Sequence, residues 1–336
     1  MSQIPDRFRA FIAEKLADGD VRRGVREFSA SDLPEGGVEI RVDWSSVNYK
    51  DALATIADGK VARISPLVPG IDMAGEVVAS SDETVAVGQQ VLAHGYDLGV
   101  ARHGGYAAFN RLPADYVVPL PDGLSAREAM AIGTAGFTAG MSVEALESRG
   151  LRPGDGPVLV TGASGGVGSV AMAILAARGH EVWAATGKAE EERRLRELGA
   201  AEIVSREEVT AESSRPLESG RWAGAIDAVG GATLPYVLRT LMPRASVASS
   251  GNASGPALVT TVLPFILRGV ALVGMDSSAV PIADRRALWA RLATDLRPTA
   301  LGHGVSEVNL DTLPEALDAI LAGEAKGRWV VRVGEG

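Results

Sequence analysis

The stretch VLVTGASGGVGSVAMAILAARG, residues 158–179, decides how the rest of the chain is read. A β-branched apolar segment runs into Thr161-Gly162-Ala163-Ser164-Gly165-Gly166-Val167-Gly168, and an apolar helix follows at once. A turn of this kind lets backbone N–H groups at a helix N-terminus face a pyrophosphate, where the helix dipole favours negative charge. Gly165 admits the phosphates closely, and Gly168 lets the helix pack close to the strand. The pattern is weak in isolation. Its context makes it a nucleotide-binding turn, because a strand precedes it, a helix follows, and a second strand arrives on schedule.

Working outward, helices are expected at 126–148, 168–179, 191–199 and 232–241. Strands are expected at 158–162, 181–186, 202–205, 223–230, 245–251 and 270–276. This alternation predicts a doubly wound parallel sheet. Upstream, short apolar segments are broken by Gly and Pro: VEIRVDW (38–44), MAGEVVAS (73–80), QQVLAH (89–94), GYAAF (105–109) and DYVVPL (115–120). They predict a small, mostly antiparallel β domain. Helices at 282–296 and 313–324 and a strand at 328–333 are expected to return to it. The domains are therefore drawn as 1–127 with 276–336, and 128–275.

Composition narrows the function. The 336 residues carry 33 basic and 42 acidic side chains, a formal charge of −9, and 46% are hydrophobic. That is a globular chain with no basic block for nucleic acid or anionic membrane. Gly is 40 of 336, about 12% against a usual ~7%, which calls for many tight turns. Cys is absent, which removes disulfides, Cys-ligated zinc or iron–sulfur sites and thiol nucleophiles. His94, His103, His180 and His303 show no metal-ligand spacing, so no metal is expected. The early charges Asp6, Arg7, Arg9, Glu14 and Lys15 precede no signal-type apolar region, and no run reaches ~18 apolar residues. A cytoplasmic enzyme is expected.

The end of the second strand selects the cofactor. NAD-binding folds place Asp or Glu there, about 20 residues past the glycines, for the ribose hydroxyls. Here the chain reads Ala184-Ala185-Thr186-Gly187-Lys188, with Arg193 and Arg194 just beyond. A hydroxyl, a glycine and cations suit a 2′-phosphate, so NADPH is expected.

Two other motifs fit the same turn. Thr161-Gly162 to Gly168 also spells the short-chain dehydrogenase pattern, but none of Tyr49, Tyr96, Tyr106, Tyr116 and Tyr236 has a Lys four residues on. Gly162-x-Ser164-x-Gly166 matches the nucleophile elbow of α/β-hydrolases, with His103-Gly104-Gly105 as an oxyanion segment and Asp276 and His303 in triad order. The cationic second strand and the preceding β domain weigh against a serine hydrolase.

Seven longer segments carry a resemblance: WSSVNYKDALA (44–54), PGIDMAGEV (69–77), AIGTAGFTAG (131–140), VTGASGGVGS (160–169), TGK (186–188), WAGAIDAVG (222–230) and LPFILRGVALVGMDS (263–277), joined by Gly327-Arg328. Together they resemble the zinc-free subgroup of the medium-chain dehydrogenase/reductase superfamily, the acrylyl-CoA reductases and their quinone-oxidoreductase-like relatives. The resemblance implies a GroES-like β-rich catalytic domain and a Rossmann domain. It implies an NADPH-dependent reductase of short α,β-unsaturated acyl-CoA thioesters, with quinone or enone reduction as the alternative. Zinc-dependent members carry Gly-His-Glu where this chain has Gly70-Ile71-Asp72. By resemblance, Tyr49, Asn48, Asp51 and Asp72 form the catalytic group. Tyr49, Ser164, Gly165, Gly166, Val167, Thr186, Gly187, Lys188, Asn252 and Arg328 contact the cofactor. Relatives carry Arg where this chain has Lys188, so a point charge replaces a bidentate fork. Arg268, Arg285 and Arg286 read as solvated helix charges, with the diphosphate of coenzyme A as the alternative partner. A homodimer is implied by the resemblance alone.

Overall fold

A computed structural model describes residues 2–298 and 304–334. The chain divides into two units: Met1–Thr134 with Ser278–Ala293 and Val305–Gly336, and Ala135–Ser277 with Thr294–Gly304.

The first unit opens with an antiparallel hairpin, β1 (Arg7–Lys15) and β2 (Val21–Ser29). Its sheet is built from β3 (Val38–Ser46), β4 (Asp72–Ser80), β5 (Gln90–His94), β6 (Phe109–Leu112) and β7 (Val117–Pro119). The short helix α1 (Tyr49–Leu53) lies between β3 and β4, and α2 (Ala126–Ser148) follows β7. β4 pairs antiparallel with both β3 and β5, as its apolar alternation predicts. The hairpin was hidden by its charge: Arg7, Arg9, Glu14 and Lys15 lie along β1 and Arg22, Arg23, Arg26 and Glu27 along β2, while Phe8, Ala10, Phe11 and Ile12 are buried. Its buried face joins Ile40, Val42, Met73, Tyr106 and Leu112 in one core.

In the second unit, β8 (Val158–Thr161) leads through the glycine turn into α3 (Gly166–Ala177). Then come β9 (Val182–Thr186), α4 (Glu192–Glu197), β10 (Ala200–Ser205), α5 (Arg206–Val209) and β11 (Trp222–Asp227). The set closes with α6 (Thr233–Thr240), β12 (Leu241–Ser249), α7 (Leu263–Arg268) and β13 (Ala271–Gly274). All neighbouring strands run parallel, in the order β10-β9-β8-β11-β12-β13. The order reverses between β8 and β11, and in sheets of this kind the crevice at that switch point takes the ligand. β8 is fully buried and α3 is apolar nearly all round, as an inner strand and its covering helix must be.

The chain then returns to the first unit through α8 (Ile282–Ala293), β14 (Val305–Asn309), α9 (Leu313–Leu321) and β15 (Arg328–Arg332). β15 pairs antiparallel with β3, which closes the first sheet, and β14 lies parallel to β15 at its edge. Three features differ from the sequence reading. α2 is broken at Gly133, whose φ of 52° and ψ of −163° are not helical, and the first unit runs to Thr134. Thr294–Gly304 groups with the second unit. The short helices α5 and α7 carry too little periodicity to be seen in a single sequence.

Gly168 offers a test of the helix–strand contact. A Cβ there would lie 2.4 Å from the Gly162 carbonyl oxygen and 2.8 Å from the Ala163 Cα, both backbone atoms that cannot swing aside. Gly168→Ala is expected to cost about 1–3 kcal/mol as overpacking and to lower the thermal midpoint, read by differential scanning fluorimetry. An unchanged midpoint would refute the close contact.

Candidate functional site

The glycine turn builds a cleft of about 400 Å³ on the crest of the second unit's sheet. Its walls are Thr161 to Gly168 apart from Ala163, the end of β9 from Ala185 to Lys188, and Ala228, Val229, Ala253 and Ser254. Ser164 Oγ and Thr186 Oγ1 lie 3.2 Å apart, and the Lys188 N–H donates to Thr186 Oγ1 at 3.0 Å. Of the expected cofactor residues, Ser164, Gly165, Gly166, Val167, Thr186, Gly187 and Lys188 all line this cleft. Asn252 does not, though its neighbours Ala253 and Ser254 do.

The cations differ from expectation. Arg193 is exposed and faces Glu197, while Arg194 is held by Glu191 at 2.6 Å and by the Ser164 carbonyl at 3.0 Å. Neither lines the cleft. Arg206 does: a Cβ placed on Gly187 would lie 2.4 Å from its Nη2. Pairing of Ser205 with Thr186 in the β9–β10 register sets Arg206 against Gly187, a signal readable only once the strand order is known. These residues fit a phosphorylated dinucleotide, since the glycines keep side chains out of the cradle and two cations stand at one end of it. Ser164 has no imidazole partner among the described residues, Asp276 is exposed, and His303 lies outside them. The nucleophile-elbow reading is set aside on that geometry.

The first unit holds a buried polar cluster centred on Asp72. Asp72 starts β4 and accepts from Ser46 Oγ, from Asn48 Nδ2 at 2.8 Å, from the Thr134 N–H at 3.1 Å and from Thr134 Oγ1 at 2.5 Å. Asn48 caps α1 in a reciprocal box with Asp51, whose carboxylate also accepts from the Gly70 and Ile71 N–H groups at 3.1 and 2.7 Å. Asp51 and Asp72 are fully buried. Their hydrogen bonds are all made to groups of the first unit, which suits the polar frame expected of them beside Tyr49 and Asn48. Tyr49, the first residue of α1, is half exposed.

Arg328 corrects a second expectation. It is buried, and its guanidinium donates to the Ala131, Val47 and Met130 carbonyls, to Asn48 Oδ1 and to Ser46 Oγ. Its donors are thus committed inside the first unit, where the sequence reading had it contacting the cofactor. Gly133 makes room for this arrangement: a Cβ there would lie 2.6 Å from Arg328 Nη2 and 2.7 Å from Asp72 Oδ2. Arg285 is not a solvated charge, since it is fully buried and donates to the His94 carbonyl; Arg268 is half-buried and donates to the Arg239 and Leu241 carbonyls, while Arg286 is exposed and donates to the Val117 carbonyl.

Electrostatics separates the buried groups. Burial alone would raise Asp72, but the Arg328 charge and the hydroxyls of Ser46 and Thr134 outweigh it and hold the carboxyl below its ordinary value. Asp51 is pushed up to about 7 by burial and by the Asp72 charge, against the N–H groups that donate to it. His94 accepts from Trp289 Nε1 at 2.8 Å and lies 2.8 Å from Arg285 Nη1. Burial and the Arg285 charge lower it to about 3, so it is neutral at pH 7. Among the described residues, no group of three or more His, Asp or Glu is placed to hold a metal ion, and no helix is long and apolar enough to cross a membrane.

Comparison with known proteins places this geometry. Residues 34–122 match the alcohol dehydrogenase GroES-like domain, and residues 166–294 match the zinc-binding dehydrogenase model. The chain is 49% identical, over 97% of its length and 99% of the relative's, to the acrylyl-CoA reductase AcuI of Ruegeria pomeroyi. The yhdH oxidoreductase of Salmonella enterica, solved in complex with NADP, is 47% identical and superposes with a TM-score of 0.94 over 97% of this chain and 100% of that one. The yhfP protein of Bacillus subtilis, solved with NAD bound, is also 47% identical, with a TM-score of 0.95 over 98% of this chain and 100% of that one. It carries a provisional quinone-oxidoreductase name.

The buried histidine gives a pH test. Its value in the fold lies below the 6.5 of the free side chain, so between about 3 and 6.5 the unfolded chain binds the extra proton. Its contribution is full above 6.5 and is lost as pH falls towards 3. From pH 7 to 5 the wild type is expected to lose about 2 kcal/mol through this residue, and His94→Gln is expected to lack that part of the slope. Melts at the two pH values measure it. Equal slopes would show that His94 is not held neutral.

Proposed function

The chain belongs to the acrylyl-CoA reductase and quinone-oxidoreductase-like subgroup of the medium-chain dehydrogenases/reductases, and from that premise we propose that it is an NADPH-dependent reductase of short α,β-unsaturated acyl-CoA thioesters, converting acrylyl-CoA to propionyl-CoA. The observation that carries this reading is 49% identity to an acrylyl-CoA reductase over 97% of the chain. When bound, NADPH supplies the hydride that adds to the β-carbon of the thioester. The protein's own tasks are to hold the cofactor, to hydrogen-bond the enolate oxygen and to deliver a proton to the α-carbon.

Ser164, Gly165, Gly166 and Val167 would cradle the pyrophosphate at the N-terminus of α3. Thr186, Gly187 and Lys188, joined by Arg206, would take the 2′-phosphate, with Asn252 beside the cleft. Tyr49 carries the catalytic role. Its phenol is exposed at the head of α1, where Asn48 and Asp51 lock the first turn by reciprocal capping. Asn48 is the polar anchor, and Asp51 and Asp72 hold it in place. Zinc independence rests on the absence of Cys and on Ile71 standing where zinc-dependent members carry His. The quinone or enone reading is kept as second, on the strength of the match to yhfP.

A cytoplasmic homodimer completes the proposal. Among the described residues β13 leaves one edge of the six-stranded sheet unpaired, and Val259, Val262, Ile266, Leu267 and Leu272 are exposed on and around it. An open edge flanked by apolar side chains favours pairing with a second copy.

With acrylyl-CoA, NADPH is expected to be consumed much faster than NADH, and faster than with a quinone, followed by loss of the reduced-nicotinamide absorbance. Equal rates would sink the assignment. Lys188→Ala and Arg206→Ala are each expected to raise KM for NADPH about tenfold, the worth of one charge-assisted hydrogen bond, and to leave NADH use nearly unchanged. Light scattering after size exclusion checks the assembly: the wild type is expected as a dimer, and Ile266→Asp with Leu267→Asp as a monomer. A monomeric wild type refutes the edge-to-edge pairing.

A further inference from the structure

Asp227 ends β11, directly across the sheet's switch point from Thr161 at the end of β8. It is fully buried. Four donors converge on it: Thr161 Oγ1 at 2.6 Å, the Gly230 N–H at 3.0 Å, Ser249 Oγ at 3.3 Å and the Val229 N–H at 3.4 Å. Its two oxygens accept from all four. No Lys, Arg or His of the described residues forms an ion pair with it. A buried anion without a counter-charge is costly to keep unless something cationic comes to it.

The surroundings say where that cation would lie. Thr161 and Val229, both bonded to Asp227, line the cleft, as does Ala228, whose N–H donates to Thr161 Oγ1 at 3.2 Å. Next along the crest, Ser250 Oγ is buried with no hydrogen-bond partner among the described residues. The cleft's cations, Lys188 and Arg206, follow β9 and β10. In the strand order β10-β9-β8-β11, the anion stands two strands beyond β9, roughly 10 Å away at the usual strand spacing. The cleft is therefore polarised, positive at one end and underlain by negative charge at the other, with the glycine turn between.

An oxidised dinucleotide phosphorylated on its adenosine ribose has the complementary pattern. It is anionic at the 2′-phosphate and cationic at the nicotinamide ring, and the reduced form lacks that ring charge. We infer that Asp227 biases the cleft towards the oxidised cofactor, stabilising the positive charge that the ring acquires as hydride leaves. The inference rests on the dinucleotide reading of this cleft. Asp227 touches neither substrate nor cofactor in this role, and acts through the field at the switch point.

Binding of NADP⁺ and NADPH to the intact protein, measured separately by isothermal titration calorimetry, tests it. In Asp227→Asn the ratio of the NADP⁺ Kd to the NADPH Kd is expected to rise about fivefold or more, with the NADPH Kd within about twofold of wild type. If both constants weaken together, Asp227 serves only to hold the turn at 228–231, and the inference is overturned; an unchanged ratio overturns it equally. The wild type gives a check that needs no variant: NADP⁺ is expected to bind at least as tightly as NADPH, and clearly tighter NADPH binding overturns the inference. A wild type that binds neither would instead refute the dinucleotide reading.

Discussion

The Asp72 carboxylate is the constraint on which the first unit depends. Side chains from β3, the head of α1 and α2 donate to it, and Arg328 of β15 reaches it through Ser46. Stretches separated by up to 282 residues in sequence are thereby fixed around one charge. Removing one partner from such a set leaves an uncompensated buried charge, at a cost of about 3–5 kcal/mol. The backbone is shaped to suit it. Gly133 breaks α2 where a Cβ would strike both Asp72 and Arg328.

The second unit depends on a different device. Its parallel sheet needs no buried ion network to assemble, because inner strands such as β8 are apolar on both faces. The polar groups that can meet a ligand gather at the crest, where strands end and helices begin. There the glycine turn exposes N–H groups, Lys188 and Arg206 supply positive charge, and Asp227 with Thr161 marks the switch point. The layout reads as a sequence of charges along the sheet edge, set by strand order rather than by chain order.

Much of this was legible beforehand. The turn at 161–168, the missing acid after β9 and the absence of Cys are local facts, and each bears directly on what a crest can bind. What escaped detection was non-local. Arg193 and Arg194 are closer in sequence to Lys188, yet α4 turns them towards Glu197 and Glu191. Arg206 reaches Gly187 because parallel pairing aligns Ser205 with Thr186. The N-terminal hairpin was masked because charged residues on its outer face diluted the apolar alternation of its inner one.

The sequence by itself determined the layer architecture, the nucleotide turn and the family, since periodicity, glycine spacing and motif content are carried by neighbouring residues. Only the tertiary structure decided which charges face a ligand and which are spent internally. Arg328 and Asp51 look like functional groups in the sequence, and they prove to be buried framework. Arg206 and Asp227 look unremarked there, and strand order brings them to the cleft or beneath it. The physical reason is that burial and counter-charge belong to the packed sheet, in which residues far apart in the chain become neighbours.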